Sequence, residues 1–321
     1  MNNKEIYKKT LGFSLRRVLW DVVSLVLLLG LGTLGYWVGE KYAGSGPIGL
    51  VIGAIAGLIV MILLSRFVSY RLKAGQIAMM TRGITEGELP DNVIAEGKKT
   101  VKERFLTVAV FFAITGVIRG IFHQLGRGVT KLGESIGGET GGAVGSAVSS
   151  VMQTIVSYLC DCCLGWVFFR KDVKPARAAC EGAVLYFKHG KTFFKNMGRV
   201  FGMGIASLIV IGAPFAGLFY LILKNQTFYE PLAQKIAEAL SDSTSSAAQL
   251  LTDPNALPIV FAVLGGIIVW SIIHSTFIRP FVLVGVLRNY IDSGKNDIPS
   301  DESFRMLDAK SAKFRKLHSE L

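Results

Sequence analysis

Six long apolar runs, separated by short polar segments, dominate the pattern of residues along this chain. A helix needs roughly 20 consecutive, mostly apolar residues to cross a bilayer. The runs meet or approach that length and occupy about residues 18–39, 47–68, 105–122, 144–169, 200–223 and 257–287. The pattern therefore predicts an all-α fold, a polytopic transmembrane helical bundle with six spans inside a transmembrane domain of residues 1–299.

The polar segments between the runs predict further, shorter helices. Residues 69–104, interrupted by Gly87 and Pro90, form two amphipathic stretches, which we expect to lie on the membrane surface as helices of a cytoplasmic loop. The last run is longer than a perpendicular crossing needs, so we expect it to tilt, to bend at Pro280 or to project beyond the bilayer. Residues 300–321 are polar and predict one cytoplasmic tail helix.

Charge adds an orientation to this picture. The chain is 51% apolar, with a mean hydropathy of +0.46, and its 35 Lys and Arg against 23 Asp and Glu give a net charge of +12. If the N-terminus is cytoplasmic, 28 of the 35 basic residues fall in inner segments, as the positive-inside rule requires. We therefore predict that both termini are cytoplasmic and that this multi-pass protein resides in the cell (cytoplasmic) membrane.

The basic residues before the fifth run predict contact with lipid. Lys188, Lys191, Lys195 and Arg199 alternate with aromatic side chains in this segment. Such a mixture next to a span favours anchoring to anionic lipids on the cytoplasmic side over stacking on nucleic acid. We expect membrane lipids to be the main partners and expect no nucleic acid.

Asp161 is the most unusual residue of the fourth run, because a carboxylate inside a membrane span is costly unless it is paired or faces a wet cavity. Asp161 and Arg279 each lie about eight residues, roughly 12 Å, from the inner ends of their spans. We predict that they form an ion pair, either as a fixed link between helices or as part of a solute or gating site. His274, near the middle of the sixth run, belongs to the same predicted polar level, where a bond to a nearby Ser or Thr is the alternative to a proton relay.

The four cysteines lie in the fourth run and the segment after it. Cys162 and Cys163 are adjacent and project about 100° apart on a helix. The chain does not contain a pair of C-x-x-C motifs, which a zinc site of that type requires. This spacing argues against a metal site. We expect Cys160, Cys162, Cys163 and Cys180 to pack as small apolar groups, and we predict neither a metal nor another cofactor.

Glycine recurs at every fourth residue of the second run. Gly49, Gly53 and Gly57 therefore share one smooth helix face, which lets another backbone approach closely. Tight packing within the chain is the simpler interpretation of this face, and contact between copies in a homo-oligomer is the alternative.

The chain contains only part of a phosphate-binding loop motif. Gly190-Lys191-Thr192 resembles the end of a phosphate-binding loop, but Leu185 occupies the position of the required earlier glycine. No H-E-x-x-H sequence is present. We therefore predict that the protein is not an enzyme.

The second half of the chain resembles the choline-transporter-like membrane proteins. The shared features are Tyr186 followed by Gly190-Lys191-Thr192-Phe193, a last span that leads into Arg288-Asn289-Tyr290-Ile291-Asp292, and then Asn296-Asp297. The chain departs from that family in being shorter, with fewer spans and no large outer domain. The resemblance implies handling of a small cation or lipid headgroup, for which Tyr158, Trp166 and Trp270 would offer cation–π faces.

Three functions follow from these features. The first is passage or exchange of a small solute or lipid through a polar intramembrane site. The second is a non-transporting membrane scaffold or assembly subunit that binds anionic lipid or protein partners. The third is an oligomeric channel with a pore shared between copies.

Overall fold

The computed structural model describes residues 1–64, 68–105, 115–120, 141–225, 229–230, 233–234, 237 and 250–319, and these parts contain helices and no strand. We number the helices in chain order. They are α1 (Asn3–Ala43), α2 (Gly46–Leu64), α3 (Tyr70–Thr85), α4 (Val93–Phe105), α5 (Gly141–Phe169), α6 (Pro175–Lys188), α7 (Gly190–Ser207), α8 (Ala213–Leu223), α9 (Leu257–Ile273), α10 (Arg279–Lys295), α11 (Asp301–Lys310) and α12 (Ala312–Ser319).

The chain divides into two compact units. Unit 1 contains Met1–Met197 and Pro280–Leu321, and unit 2 contains Gly198–Arg279. The tail belongs to unit 1, where it forms two helices instead of the predicted one. Both α11 and α12 contact α6, so the tail is part of a packed unit.

Three helices within the described residues are long and apolar enough to cross a membrane. They cover Asn3–Tyr42, Val200–Leu223 and Leu257–Lys295, and only 12%, 11% and 22% of their apolar stretches are buried inside the protein. Ile48–Leu63 and Val156–Phe169 are shorter apolar helices. Apolar surface on this scale would be unfavourable in water, so these helices indicate a membrane protein.

The remaining spans of the six-span prediction are only partly described. Most of the third run, residues 105–122, lies outside the described residues, although residues 115–120 are helical. The first helix is much longer than its predicted span of 18–39, because the polar N-terminal segment continues it. A capping box formed by Asn2 and Glu5 satisfies the backbone N–H groups at its start.

The polar segment 69–104 forms the two predicted short helices, α3 and α4, but α3 does not lie on a surface. Eleven of its sixteen residues are buried. It contacts α1, α4 and α5, and Gln76 donates hydrogen bonds to Ser14 Oγ (3.0 Å) and to the Thr10 carbonyl (3.3 Å) in α1. Small residues let α3 pack on several sides at once, which the amphipathic pattern alone did not reveal.

The α1–α2 hairpin confirms the interpretation of the glycine face as packing within the chain. A Cβ atom on Gly49 would lie 2.7 Å from the Gly39 Cα atom, and one on Gly57 would lie 2.9 Å from Leu28 Cδ1. A Cβ on Gly53 would meet the Leu31 carbonyl oxygen. All three glycines therefore face α1, and side chains there would push the two backbones apart.

Each of the two long apolar helices that enter unit 2 contains a short π-helical segment. These segments, Leu208–Gly212 and His274–Ile278, are each followed two residues later by a proline, Pro214 or Pro280. Proline lacks an N–H group and its ring clashes with the carbonyl four residues before it, which disturbs the regular α-helical bonding. A π-helical segment thus ends two residues before Pro280, and the helix continues to Lys295. The tilt, bend or projection of the last span stays a prediction.

Candidate functional site

Asp161 forms an ion pair with a residue that the sequence analysis did not select. Its Oδ1 atom lies 2.6 Å from Nζ of Lys73, which α3 carries towards α5. The Asp161 residue is only 4% exposed, so the lysine offsets the cost of burying the carboxylate. Arg279, the predicted partner, lies in unit 2, and its pairing with Asp161 stays a prediction.

The approach of α3 to α5 is made by small residues and one hydrogen bond. Thr81 donates from Oγ1 to the Gly165 carbonyl at 3.4 Å. A Cβ atom on Gly165 would lie 3.2 Å from that hydroxyl and would meet a methyl group of Leu287. The two helices therefore come close enough for Lys73, about two turns before Thr81 in α3, to reach Asp161, about one turn before Gly165 in α5.

The ion pair lines a cavity of about 210 Å³. Its walls come from α3, from the helical residues 115–120 and from α5. The charged or polar residues of the lining are Tyr70, Lys73, Thr115, Arg119, Gln153, Ser157, Cys160 and Asp161, and the apolar ones are Ala74, Ile118, Val156 and Leu164. The cavity is thus lined mainly by groups that can form hydrogen bonds.

Two cations and one carboxylate carry the formal charge of the lining residues that the structure describes. Lys73 and Arg119 are the cations, and Asp161 is the carboxylate. Arg119 donates from Nη2 to the Tyr70 hydroxyl at 3.4 Å, across the gap between residues 115–120 and α3. Burial is the main factor that raises the pKa of Tyr70, and the nearby Asp161 adds to it against the opposing effect of Arg119. Tyr70 therefore stays protonated at neutral pH and keeps an O–H donor at the cavity.

The size of the cavity limits its ligand. At roughly 30 Å³ for each water molecule, about 210 Å³ corresponds to about seven waters. Pockets for drug-sized ligands are larger, roughly 300–1,000 Å³. The cavity therefore suits a small solute or the headgroup of a lipid whose chains remain outside.

A second and larger cavity of unit 1, about 560 Å³, lies among α3, α4 and the end of α5. Its cations are already engaged with protein groups. Arg82 contacts Glu86 at 2.7 Å and Glu96 at 3.5 Å, Lys171 contacts Glu86 at 3.5 Å, and Arg104 donates to the main chain at the end of α5. Acids and bases balance around this cavity, so it has weaker grounds for selecting a charged ligand.

The aromatic residues of the fourth run take part in core packing. Tyr158 is 2% exposed and Trp166 is 0% exposed, and neither is among the residues that line the Asp161 cavity. Trp166 donates to Glu181 at 3.1 Å, and Glu181 also accepts a hydrogen bond of 2.7 Å from Arg170. Burial raises the pKa of Glu181, and these two donors oppose that effect. The proposed cation–π faces at Tyr158 and Trp166 therefore have no place in the cavity.

His274 and Trp270 lie in unit 2, where they share one serine. Ser207 Oγ is 3.2 Å from Nδ1 of His274 and accepts a hydrogen bond of 2.9 Å from the Trp270 indole. A bond to a nearby Ser or Thr was one of the two predictions for His274, and its partner in the structure, Ser207, lies on the facing helix α7. This contact gives the Nδ1 atom of His274 a hydrogen-bonding partner within unit 2.

The cysteines behave as the packing interpretation requires. Cys162, Cys163 and Cys180 are fully buried, Cys160 is half-buried at the cavity wall, and none of the four forms a disulfide. Burial is the main factor that raises the pKa of Cys180 to about 12. Within the described residues, no group of His, Cys, Asp and Glu could hold a metal ion.

The predicted lipid anchors are only partly visible. Lys188 forms an ion pair with Asp297. Lys188 also donates a hydrogen bond to Asp297, and this bond is the main factor that lowers the pKa of Asp297. The side chains of Lys191, Lys195 and Arg199 lie outside the described part of the chain. Anchoring by these residues stays a prediction, and Lys188 already has a protein partner.

Comparisons with known proteins do not extend this site. No protein-family model, no curated protein and no solved structure matches the chain. The resemblance to the choline-transporter-like proteins therefore stays a prediction, and function has to be argued from the cavity itself.

Both cations of the described lining, and Tyr70, were missed from the sequence. Lys73 and Tyr70 belong to the polar segment that was assigned to the membrane surface, and Arg119 lies near the end of the third apolar run. The available signal was the sequence distance from Tyr70 to Lys73, which places both on one face of a helix that begins directly after the second apolar run.

Proposed function

We propose that this chain is a six-span protein of the cytoplasmic membrane, with both termini in the cytoplasm, that passes or exchanges a small solute or a lipid through the Asp161 cavity. The observation that carries this proposal is the ion pair between the half-buried Lys73 and the buried Asp161 in the wall of a polar cavity. Charges buried near apolar helices are costly, and they commonly mark solute or ion paths. We propose no enzymatic activity.

The Lys73–Asp161 pair supports exchange more than a purely structural role. A link between helices needs only the two charges and their hydrogen bonds, and a close-packed apolar contact of similar volume is often as stable. Here the pair is accompanied by Arg119, Tyr70 and Ser157 around a cavity. A second cation and a ring of hydroxyl groups are more than the pair itself requires.

The scaffold and channel hypotheses receive less support. The glycine face of α2 was the feature that favoured contact between copies, and Gly49, Gly53 and Gly57 contact α1 of the same chain. A scaffold therefore has no dedicated packing face among these glycines. The scaffold is the function that we would infer if no exchange is measured.

Exchange can be tested in proteoliposomes. We would measure dithionite quenching of NBD-labelled phosphatidylcholine and phosphatidylglycerol, and release of trapped radiolabelled phosphate and alanine. We expect the protein to accelerate at least one of these processes, and expect Lys73→Gln to slow it about tenfold or more, as loss of a buried charged contact does.

Lys171→Gln provides the matched control, since it removes the same charge from an exposed side chain outside the Asp161 cavity. It should leave the rate within about twofold. Correctly inserted protein that accelerates none of the four processes would refute exchange and favour the scaffold.

A further inference from the structure

We propose that the Asp161 cavity binds an anionic group of the phosphate class, and that Asp161 competes with this ligand for Lys73. This inference rests on the proposed function, because it names the ligand class of the same cavity. Its first support is that Lys73 Nζ binds a carboxylate oxygen at 2.6 Å, so the fold already holds an anion at this position.

Charge balance gives the second support. Among the described residues of the cavity wall, Lys73 and Arg119 face one carboxylate, Asp161, so this part of the lining has one positive charge in excess. Interactions between charges strengthen as water is excluded from a site. A monoanion would neutralise this lining, whereas a cation would add to the excess.

The hydrogen-bonding groups give the third support. The guanidinium of Arg119 has a planar fork of donors that matches phosphate oxygens, and Lys73 supplies a compact ammonium. The cavity lining also includes the hydroxyl groups of Tyr70, Thr115 and Ser157. A phosphate group has several acceptor oxygens and no obligatory donor, so its needs match this set.

A cationic ligand fits the same residues less well. It would need Asp161 as its counter-ion, and Lys73 already binds Asp161. It would also need aromatic faces, but Tyr158 and Trp166 are buried elsewhere and Tyr70 is the aromatic residue in the cavity lining. The geometry therefore favours an anion.

Competition also gives exchange a physical basis. Lys73 is on α3 and Asp161 is on α5, so the pair links two helices. When a phosphate group takes over Lys73, the buried Asp161 carboxylate loses its ion pair with Lys73, which is unfavourable. Return of Asp161 to Lys73 restores that ion pair and expels the ligand, so the cavity both accepts and releases it.

The test is a binding titration of the full chain in detergent micelles with two probes. Inorganic phosphate represents a free solute, and dihexanoyl phosphatidic acid represents a lipid headgroup. Tighter binding of one probe identifies the source of the phosphate group. The variants are Asp161→Asn, Lys73→Gln and the control Asp172→Asn, which makes the same change in an exposed carboxylate outside the cavity.

The sign of the Asp161→Asn effect decides the inference. Removing a like charge about 4 Å from a bound anion should tighten binding at least about fivefold, and Lys73→Gln should weaken it by a similar factor. Asp172→Asn should leave the Kd within about twofold. Weaker binding by Asp161→Asn would overturn competition, although Lys73-dependent exchange in proteoliposomes would still support the proposed function.

Two further outcomes are decisive. If neither probe binds but exchange of alanine or phosphatidylcholine depends on Lys73, the anionic ligand is wrong and the exchange function remains. If neither probe binds and no exchange occurs, both proposals fail. Should Asp161→Asn not fold, Arg119→Gln replaces it, because loss of this exposed cation weakens binding of an anion and does not weaken binding of a cation.

Discussion

The α1–α2 hairpin and the region where α5 packs against α3 and against α6, the α3–α5–α6 region, both belong to unit 1, but they are held together by opposite means. In the hairpin, glycines allow backbone to approach backbone, and the outward side chains are apolar and exposed, as with Leu19 and Val26 at 62% each. In the second region, Lys73 binds Asp161 and Arg170 binds Glu181, and both carboxylates are at least 94% buried at the side chain.

The difference shows in which region the protein buries charged side chains. A hairpin surrounded by lipid gains little from burying apolar surface, so close van der Waals packing has to stabilise it. The α3–α5–α6 region buries charges although apolar residues would often serve stability equally well. Charge in that region therefore needs a reason beyond stability, and for Lys73–Asp161 we infer that the reason is the cavity.

The largest effect should come from removing a buried charge of the second region. Glu181→Ala leaves the Arg170 guanidinium with one partner fewer and the Trp166 N–H without its acceptor. We expect a loss of about 3–5 kcal/mol in unfolding free energy. Thermal and denaturant unfolding in detergent would measure it, with the exposed Glu103→Ala as control, whose loss should stay below about 0.5 kcal/mol. Equal losses for both variants would show that the buried network has no special weight.

An intermediate effect is expected in the hairpin. Gly53→Leu would place a Cβ atom 3.0 Å from the Gly35 Cα atom and against the Leu31 carbonyl, and backbone cannot move aside as a flexible side chain can. We expect a loss of about 1–3 kcal/mol, typical of overpacking.

Gly30→Leu is the matched control, because nothing lies within 4 Å of a Cβ at Gly30. Unfolding of the two variants under identical conditions tests whether α2 packs on α1 through its glycine face. A larger loss of unfolding free energy for Gly30→Leu than for Gly53→Leu would contradict packing of α2 on α1 through the glycine face.

The smallest effect should come from an exposed ion pair. The hydrogen bond from Lys188 holds the pKa of Asp297 below its usual range. The pair therefore contributes stability above the ordinary carboxylate pKa of about 3.9, and that contribution disappears as the pH falls through the lower folded-state pKa. Asp297→Asn should cost less than about 1 kcal/mol at pH 7 and less at pH 2 than at pH 7.

Unfolding temperatures at pH 7 and pH 2 measure this difference. Asp292→Asn, a change in another exposed carboxylate near the end of α10, is the control. A cost of Asp297→Asn that grows towards low pH would contradict the sign of the shift.

The sequence revealed the helical class, the limits of Val200–Leu223 and Asp161 as a charge inside an apolar helix, because these depend on local hydropathy and on the position of one charged residue. It also identified the glycine face of α2. It misplaced α3, since a helix with small residues on several faces looks amphipathic by pattern and can still be buried. It did not identify Lys73, because the approach of α3 to α5 decides which of 35 basic residues reaches Asp161.

The most direct test of the central claim is the exchange rate per folded molecule in proteoliposomes, measured for two variants. The double variant Lys73→Gln with Asp161→Asn removes both charges together, so it leaves no unpaired buried charge. Gly53→Ala disturbs the hairpin and leaves the cavity lining unchanged. The account predicts that the double variant loses about tenfold or more of the exchange rate and that Gly53→Ala keeps it within about twofold. Full exchange by the double variant, with exchange lost in Gly53→Ala, would contradict the account.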